Sequence, residues 1–338
     1  MATRLNAKVT NSKPSTKTDN QESIAYKQVQ HITVLEPFAG QRLDNHLIRT
    51  LKNLPKSKIY KIIRKGEVRV NKKRAKPEYN IQAGDIIRIP PLMLQEKPNY
   101  VAPKQVQNKI ENAIIYEDKT LMVINKPEGM AVHGGSGLSF GVIEALRNSR
   151  PKEKYLELVH RLDRNTSGCL IIAKKRSTLK HLQSQFIDTG KVIKKYYALV
   201  AGKWQKNNLT VNQPLLKNTL KSGERIVVVN PNGKPATTKY RILQQQDNYS
   251  LIEAYPLTGR THQIRVHCLT SGGPILGDDK YNSTESQSIA KQLNCTRLFL
   301  HAHSISFKNI KGERLHFAAK LPADLQLVLK QAKINLAE

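Results

Sequence analysis

Acidic residues are scarce in this chain of 338 residues: 26 Asp and Glu stand against 56 Lys and Arg, for a formal net charge of +30. A shortage of that size argues against an enzyme of small metabolites and for a polyanionic partner, either nucleic acid or an anionic membrane. Long hydrophobic runs are missing as well. Without about 18 consecutive apolar residues no spanning helix is expected, and without an apolar stretch behind the first basic residues no secretory signal is expected. Cysteine is limited to Cys169, Cys268 and Cys295, far apart and odd in number. They offer no disulfide framework and no zinc-ligand spacing, and they suit a reducing, cytoplasmic setting. At roughly 100–200 residues per domain, the length allows two or three domains.

Residues 1–30 are rich in Ser, Thr, Asn, Gln and Lys and poor in apolar positions, which predicts a disordered basic tail. HITVLE at 31–36 alternates as a strand does. Leu43, Leu47, Leu51 and Leu54 then recur at helical spacing up to Pro55. SKIYKIIRKG predicts a second helix with Ser57 as N-cap, Gly66 as C-cap and an inner face of Ile59, Ile62 and Ile63. EVRVN and DIIRI predict two strands separated by the basic turn KKRAK. From Gln41 to Pro90 there are 14 Lys or Arg and 4 Asp or Glu, a net +10 in 50 residues. Basic residues at about twice the average density, gathered in one small helix-helix-strand-strand unit, favour phosphate contact over a merely solvated face. Lys58, Lys61, Arg64, Lys65, Lys72, Lys73 and Arg74 are the candidates. Residues 91–109 carry three prolines and little periodicity, as a linker does. The expected division is a unit at 31–95, a linker at 96–110 and a larger domain at 111–330.

In that larger domain strand follows strand: AIIYE, LMVINK, CLIIAKK, KYYALVAG, ERIVVVN, TKYRIL, SLIEAYP, HQIRVHC and LFLHAHSISF. Helical patterns occur in SFGVIEALRN and STLKHLQSQFID. This order predicts an α+β domain with a mixed, mostly antiparallel sheet flanked by helices and loops.

The densest polar cluster is LVHRLDRNTSGCLIIAKK at 158–175. Asp163 stands beside Arg161 and Arg164, and nearby cations keep a carboxylate ionised, fit to be a nucleophile, a base or a metal ligand. The competing reading is a turn held by local bonds from Asp, Asn, Thr and Ser. PLTGRTHQIRVHC at 256–268 reads as a turn and a strand that would point Gln263, Arg265 and His267 to one side. Its arginines fit a carboxylate or phosphate partner, against a surface ion pair of little worth. VINKPEGMAVHGGSG at 123–137 is a glycine-rich loop but no P-loop. GLSFG around Ser139 lacks the strand that a nucleophile elbow requires, so Ser139 reads as a helix N-cap. Tyr196 and Tyr197 in one strand must face opposite ways, one of them inward as core or as a stacking surface. HRLDRN has neither the spacing nor the companion motifs of a kinase loop. His301 and His303 share a strand face without a third ligand, so no metal is expected.

HRLDRNTSG at 160–168 resembles the signature of the RluA-type pseudouridine synthases. PLTGRTHQIRVH at 256–267 with GGPILGD at 272–278, NKPEGMAVH at 125–133 and KKYYALVAG at 194–202 resemble three further segments of that family, in its order and spacing. The likeness covers about residues 112–325, and the unit at 41–90 resembles an S4 RNA-binding domain. SGERIVVVNPNGKPATTKY points most to the RluC branch, which modifies several uridines of 23S ribosomal RNA. The resemblance implies an isomerase of structured RNA that needs no cofactor, and a monomer in the cytoplasm with no metal is the default expectation beside it. It implies Asp163 as the catalytic carboxylate and Arg265 as its ion-pair partner. Tyr196 is implied to stack on the target base and help remove its C5 proton, and Arg161 to fill the space left by the flipped nucleotide. The readings set beside it are a non-catalytic ribosome-assembly factor and a synthase acting on another structured RNA such as tRNA.

Overall fold

The computed structural model describes residues 23–26, 28–51, 54–95, 101–134, 140–204, 207, 209–219 and 225–336. The chain forms two compact units, residues 1–99 and 100–338. No helix among the described residues is long and apolar enough to cross a membrane.

In the first unit, helices Leu43–Thr50 and Lys56–Arg64 pack beside a four-stranded sheet ordered Gln30–Thr33, Ile86–Ile89, Arg69–Val70, Lys73–Arg74. Leu43, Leu47, Ile59, Ile62, Ile63 and Ile87 are buried, as their spacing requires. Buried Asp44 joins the two helices: it accepts from Arg42 Nη2 at 2.6 Å and from the Tyr60 hydroxyl at 3.0 Å. The second helix is capped by Pro55, not Ser57, because proline's fixed φ suits the residue that opens a helix. Gly66 follows the last turn at φ +71°, just past the C-cap Lys65.

Two expectations fail at the edges of this unit. The tail was expected to run to residue 30, yet Ser23–Tyr26 forms a strand paired antiparallel with Leu92–Gln95. Residues 1–22 of the expected tail lie outside the described residues. The linker expected at 96–110 includes the helix Lys104–Glu111, entered at Pro103 and packed through Ile110 and Gln107. Its inner face uses a glutamine, whose amide donates to the Ala102 carbonyl at 2.7 Å, so the apolar period is hidden.

The second unit is built on a ten-stranded sheet. Its main path runs Leu209–Asn212, Thr237–Gln245, Tyr249–Pro256, Ile193–Ala201, Leu300–Lys308, Ser167–Ala173, Leu121–Lys126, Ile114–Glu117. Glu157–Leu158 and Arg314–Ala318 pair alongside it. All pairings are antiparallel except that of Ser167–Ala173 with Leu300–Lys308, in register Ser167 to His301 and Gly168 to Ala302. The class is therefore α+β with a mixed, mostly antiparallel sheet. Every residue of Ser167–Ala173 is buried, and each large apolar side chain there contributes about 1.5–3 kcal/mol. Apolar side chains gather in two large clusters, one around Leu199, Leu251 and Phe299, the other around Ile124, Leu146 and Leu170. Tyr196 packs against both.

HQIRVHC is not a strand. Gln263–Ser271 is a helix, and Gln263 through Cys268 are all buried. Six consecutive buried residues cover every side of a helix, so this stretch carries no 3.6-residue stripe, and only Leu269 and Thr270 in the last turn are exposed. The helix Val142–Ser149 is capped at Gly141, not at Ser139, which lies outside the described residues. Glu144 reaches back to accept from the Gly141 and Gly134 N–H groups at 2.9 and 3.0 Å.

Candidate active site

The loop that carries Asp163 is fastened at both ends, and ahead of Asp163 the Ile171 N–H donates to His160 Nε2 at 3.1 Å. On its C-terminal side, Thr166 N–H donates to the Asp163 carbonyl at 3.1 Å, closing a turn. The chain then enters the buried strand at Ser167, whose hydroxyl meets His301 Nδ1 at 2.9 Å. His301 Nε2 donates to the Ala319 carbonyl at 3.0 Å, so Nδ1 is the acceptor. Gly168 holds φ +112°, and a Cβ there would stand 2.3 Å from the Ala302 carbonyl oxygen. Only glycine lets the two parallel strands approach this closely.

Lys126 makes the second attachment. Its side chain is fully buried, and its ammonium donates to the carbonyls of Pro127, Met130 and Arg164 at 2.7, 2.9 and 3.1 Å. The last bond seizes the backbone one residue beyond Asp163. Burial pushes this lysine down to about 7, and the charges of Glu128 and Asp163 work against that shift. Arg164 adds a bond from Nε to the Gly129 carbonyl at 2.9 Å.

Held in this way, the Asp163 side chain is 21% exposed and faces a cavity of about 520 Å³. That volume lies within the range of small-molecule pockets. Asp163, Arg161, Tyr196 and Arg265 all line it, together with Phe186, Lys194 and the turn from Pro256 to His262. Lys194 is pushed down to about 8 by burial. Burial, aided by the charge of Asp163, raises the Tyr196 hydroxyl well above its ordinary value, so it stays a phenol near neutral pH.

Arg265 is placed differently from the expectation of a direct pair with Asp163. Among the described residues, the carboxylates in ion-pair reach of it are Asp278 and Asp279. Its Nε and Nη2 donate to the two oxygens of Asp278 at 2.7 and 2.6 Å, and Nη2 to Asp279 at 2.8 Å. Burial opposes its charge, but the bonds from Asp278 outweigh that and raise its pKa. Asp163 lies beyond ion-pair distance, yet its field still reaches the guanidinium. The physical reason is geometric. Asp278 is buried and presents both oxygens to the fork of an arginine, and such a bidentate pair outcompetes a single longer contact. The helical course of 263–271 also changes which residues are neighbours, since the direction expected for Arg265 assumed a strand.

His262, at the N-cap of that helix, comes nearer: its Nε2 is 3.9 Å from Asp163 Oδ2. Sequence reasoning missed His262, Lys126 and Asp278 as parts of the site. A lysine ending an otherwise apolar strand is a usable signal for Lys126; for the other two the sequence offered only membership of a motif. His301 and His303 have structural partners, the latter stacked on Tyr197 at 4.2 Å between ring centroids. No cluster of His, Cys, Asp or Glu able to hold a metal occurs among the described residues. Cys169, Cys268 and Cys295 are buried free thiols.

The seven basic residues expected to meet RNA, Lys58, Lys61, Arg64, Lys65, Lys72, Lys73 and Arg74, are all exposed on the first unit. Lys58, Lys61 and Arg64 lie on the outer side of the helix Lys56–Arg64, opposite its buried isoleucines. Lys72 holds a left-handed turn at φ 67°.

Known proteins resemble the chain along most of its length. Residues 120–270 match the family described as RNA pseudouridylate synthase, and residues 41–87 match the S4 domain. The chain is 52% identical to "Ribosomal large subunit pseudouridine synthase C" of Vibrio parahaemolyticus, over 89% of this chain and 96% of that protein. It is 50% identical to the protein of the same name from Haemophilus influenzae, over 94% and 99%. Among solved structures, "Human RNA Pseudouridylate Synthase Domain Containing 4" superposes with a TM-score of 0.59 at 27% identity, covering 69% of this chain and 98% of that one. With an S4 domain ahead of its catalytic domain, the chain belongs to the RNA pseudouridylate synthase family, and its activity is the isomerisation of uridine to pseudouridine in RNA.

Proposed function

We propose that this protein isomerises specific uridines of large-subunit (23S) ribosomal RNA, with Asp163 as the catalytic carboxylate. The name shared by its relatives supports the substrate. One observation supports the residue: a partly exposed carboxylate, on a loop anchored at both ends, faces a cavity of about 520 Å³ walled by a tyrosine and arginines.

The chemistry fits such a site. The bond from N1 of the base to C1′ of the ribose breaks, the base turns, and a bond forms between C5 and C1′. N1 gains a proton and C5 loses one, so the reaction balances without a redox change and calls for no cofactor. C1′ and C6 are inaccessible in a stacked helix, so the nucleotide must leave the stack. We assign Tyr196 the role of stacking on the extruded base, which its neutral phenol ring suits. We assign Arg161, exposed at the cavity rim, to the gap left in the RNA. Arg265 supplies positive potential on the cavity wall from a position fixed by Asp278. The exposed cations of the first unit hold folded RNA through its phosphates. We place this activity in the cytoplasm, carried out by a monomer.

The test compares the wild type with Asp163→Asn for release of tritium to water from rRNA labelled as 5-³H-uridine. The substitution removes one charge and almost no volume. Release should slow by at least about a thousandfold while RNA affinity stays within about threefold. Turnover near the wild-type rate in the variant overturns the assignment of Asp163.

A further inference from the structure

We propose that His262 is a positioning residue for Asp163: held in one tautomer by Tyr281, it turns an Nε2–H toward the carboxylate and so fixes which oxygen is left free to meet the substrate. The inference rests on the assignment of Asp163 made above.

The backbone at His262 comes first. It stands at φ 54° and ψ 18°, in the left-handed region. Such a conformation is strained for a non-glycine residue and persists only where its surroundings impose it. Here the Gln263 side chain imposes it. Its Oε1 accepts from the Thr258 hydroxyl at 2.7 Å and from Arg260 N–H at 3.0 Å. Its Nε2 donates to the Thr237 carbonyl at 3.0 Å and to the Thr238 hydroxyl at 2.9 Å. The turn is thereby tied to the strand Thr237–Gln245, and the direction of the imidazole is set by rigid neighbours.

The tautomer comes next. The Tyr281 hydroxyl oxygen accepts the Val227 N–H at 2.8 Å and lies 2.7 Å from His262 Nδ1. A phenol carries one proton, and with an amide already donating to its oxygen that proton is free to go to Nδ1. Nδ1 is then the acceptor, and in the neutral ring the hydrogen resides on Nε2, 3.9 Å from Asp163 Oδ2. The opposite tautomer would aim a bare lone pair at a carboxylate, which is repulsive. Tyr281 also meets the imidazole edge to face, with ring centroids 5.4 Å apart, and so fixes its plane.

Arg265 does not take this role, because Asp278 and Asp279 engage its Nε and Nη2 and hold it beyond ion-pair distance of Asp163. At 3.9 Å the contact from His262 is a charge-dipole attraction longer than a hydrogen bond. It orients the carboxylate without capping it. The same chain of contacts begins at Val227, in the hairpin of Leu215–Thr219 with Arg225–Val229, so one hydrogen bond links that hairpin to the site.

The experiment measures single-turnover tritium release at saturating enzyme, RNA affinity, and the ¹⁵N tautomer state of His262, identified as the signal lost in His262→Gln. His262→Ala should release tritium about a hundredfold more slowly and Tyr281→Phe about tenfold more slowly, with RNA affinity within about threefold in both. His262→Gln, whose amide N–H can stand in for Nε2–H, should recover to within about tenfold of wild type. The wild-type spectrum should show the Nε2–H form. Wild-type turnover in His262→Ala, an equal loss in His262→Gln and His262→Ala, or an Nδ1–H tautomer in the wild type each overturns the proposal. The tautomer of the wild-type ring, assigned through His262→Gln, decides the matter if His262→Ala does not fold. A wild-type protein that releases no tritium from rRNA would instead overturn the proposed function itself.

Discussion

In the unit spanning residues 1–99, Lys58, Lys61 and Arg64 stand exposed along one helix, while in the unit spanning 100–338 Lys126 is fully buried with three carbonyls around its ammonium. Arg265 is buried beside it in kind, gripped by Asp278 and Asp279. The two sets of cations work by different physics. Exposed cations act through a summed field that salt screens and that no single residue dominates. Buried cations act through specific bonds at low dielectric, where each partner left unmatched is costly. The first arrangement tolerates exchange of one basic residue for another. The second does not tolerate a change in length, because three acceptor oxygens are placed around each cation.

The contrast can be tested at several strengths. The largest effect is expected from Gly168→Ala, where a methyl group would enter the Ala302 carbonyl at a backbone conformation that disfavours any side chain. We expect a loss of more than about 4 kcal/mol, read as failure to accumulate folded protein or as a collapse of the urea midpoint. Lys126→Met comes next. It keeps the apolar stem but leaves the Pro127, Met130 and Arg164 carbonyls without their donor. Urea unfolding should show about 3 kcal/mol of destabilisation, and tritium release should slow even where the variant is folded, because the Asp163 loop is unhooked. If release by folded Lys126→Met matches wild type, the buried cation is only a structural filler and the contrast fails.

Replacing Lys58, Lys61 and Arg64 together by Glu should weaken RNA binding by about a hundredfold and lower the salt dependence of binding by about three counterions. Tryptic and thermal stability should barely move, and the rate at saturating enzyme should stay within about threefold. An equal loss in the saturated rate would show that the exposed cations also position substrate for the chemistry. The smallest effect concerns pH. Burial lowers His301 to about 4, so the folded state binds fewer protons than the unfolded state between that value and the ordinary value of 6.5. Stability therefore falls as pH drops through this window, by up to about 1.4 kcal/mol per pH unit from this residue. His301→Gln should flatten the slope of urea midpoint against pH between 6.5 and 4; an unchanged slope would assign acid sensitivity elsewhere.

The elements legible in the sequence were those whose burial is one-sided or continuous. Ile59, Ile62 and Ile63 mark one face of a helix, and CLIIA marks a strand buried on both sides. Where burial followed neither pattern, the reading failed. Gln263 through Cys268 are buried on every side of their helix, so HQIRVHC showed alternation by accident of composition. Lys104–Glu111 packs through a glutamine, and the strand Ser23–Tyr26 owes its existence to a partner some seventy residues away. The cavity-lining residues Asp163, Arg161, Tyr196 and Arg265 could all be nominated from motifs and do line one cavity. What could not be read was who holds whom: Arg265 turns to Asp278, and the group facing Asp163 is His262.

By itself, then, the sequence determined the chemical inventory: a basic unit suited to phosphates, a carboxylate between apolar segments, and the α+β order of strands and helices. Those properties are local, set by side-chain type and spacing over a few residues. The tertiary structure alone decided the orientation of Asp163. The bonds that set it join residues far apart in the chain, Lys126 with Arg164, Ser167 with His301, and Val227 with Tyr281. Their acceptors are a backbone carbonyl, an imidazole nitrogen and a phenol oxygen, and no local spacing in the sequence tells which donor each will meet.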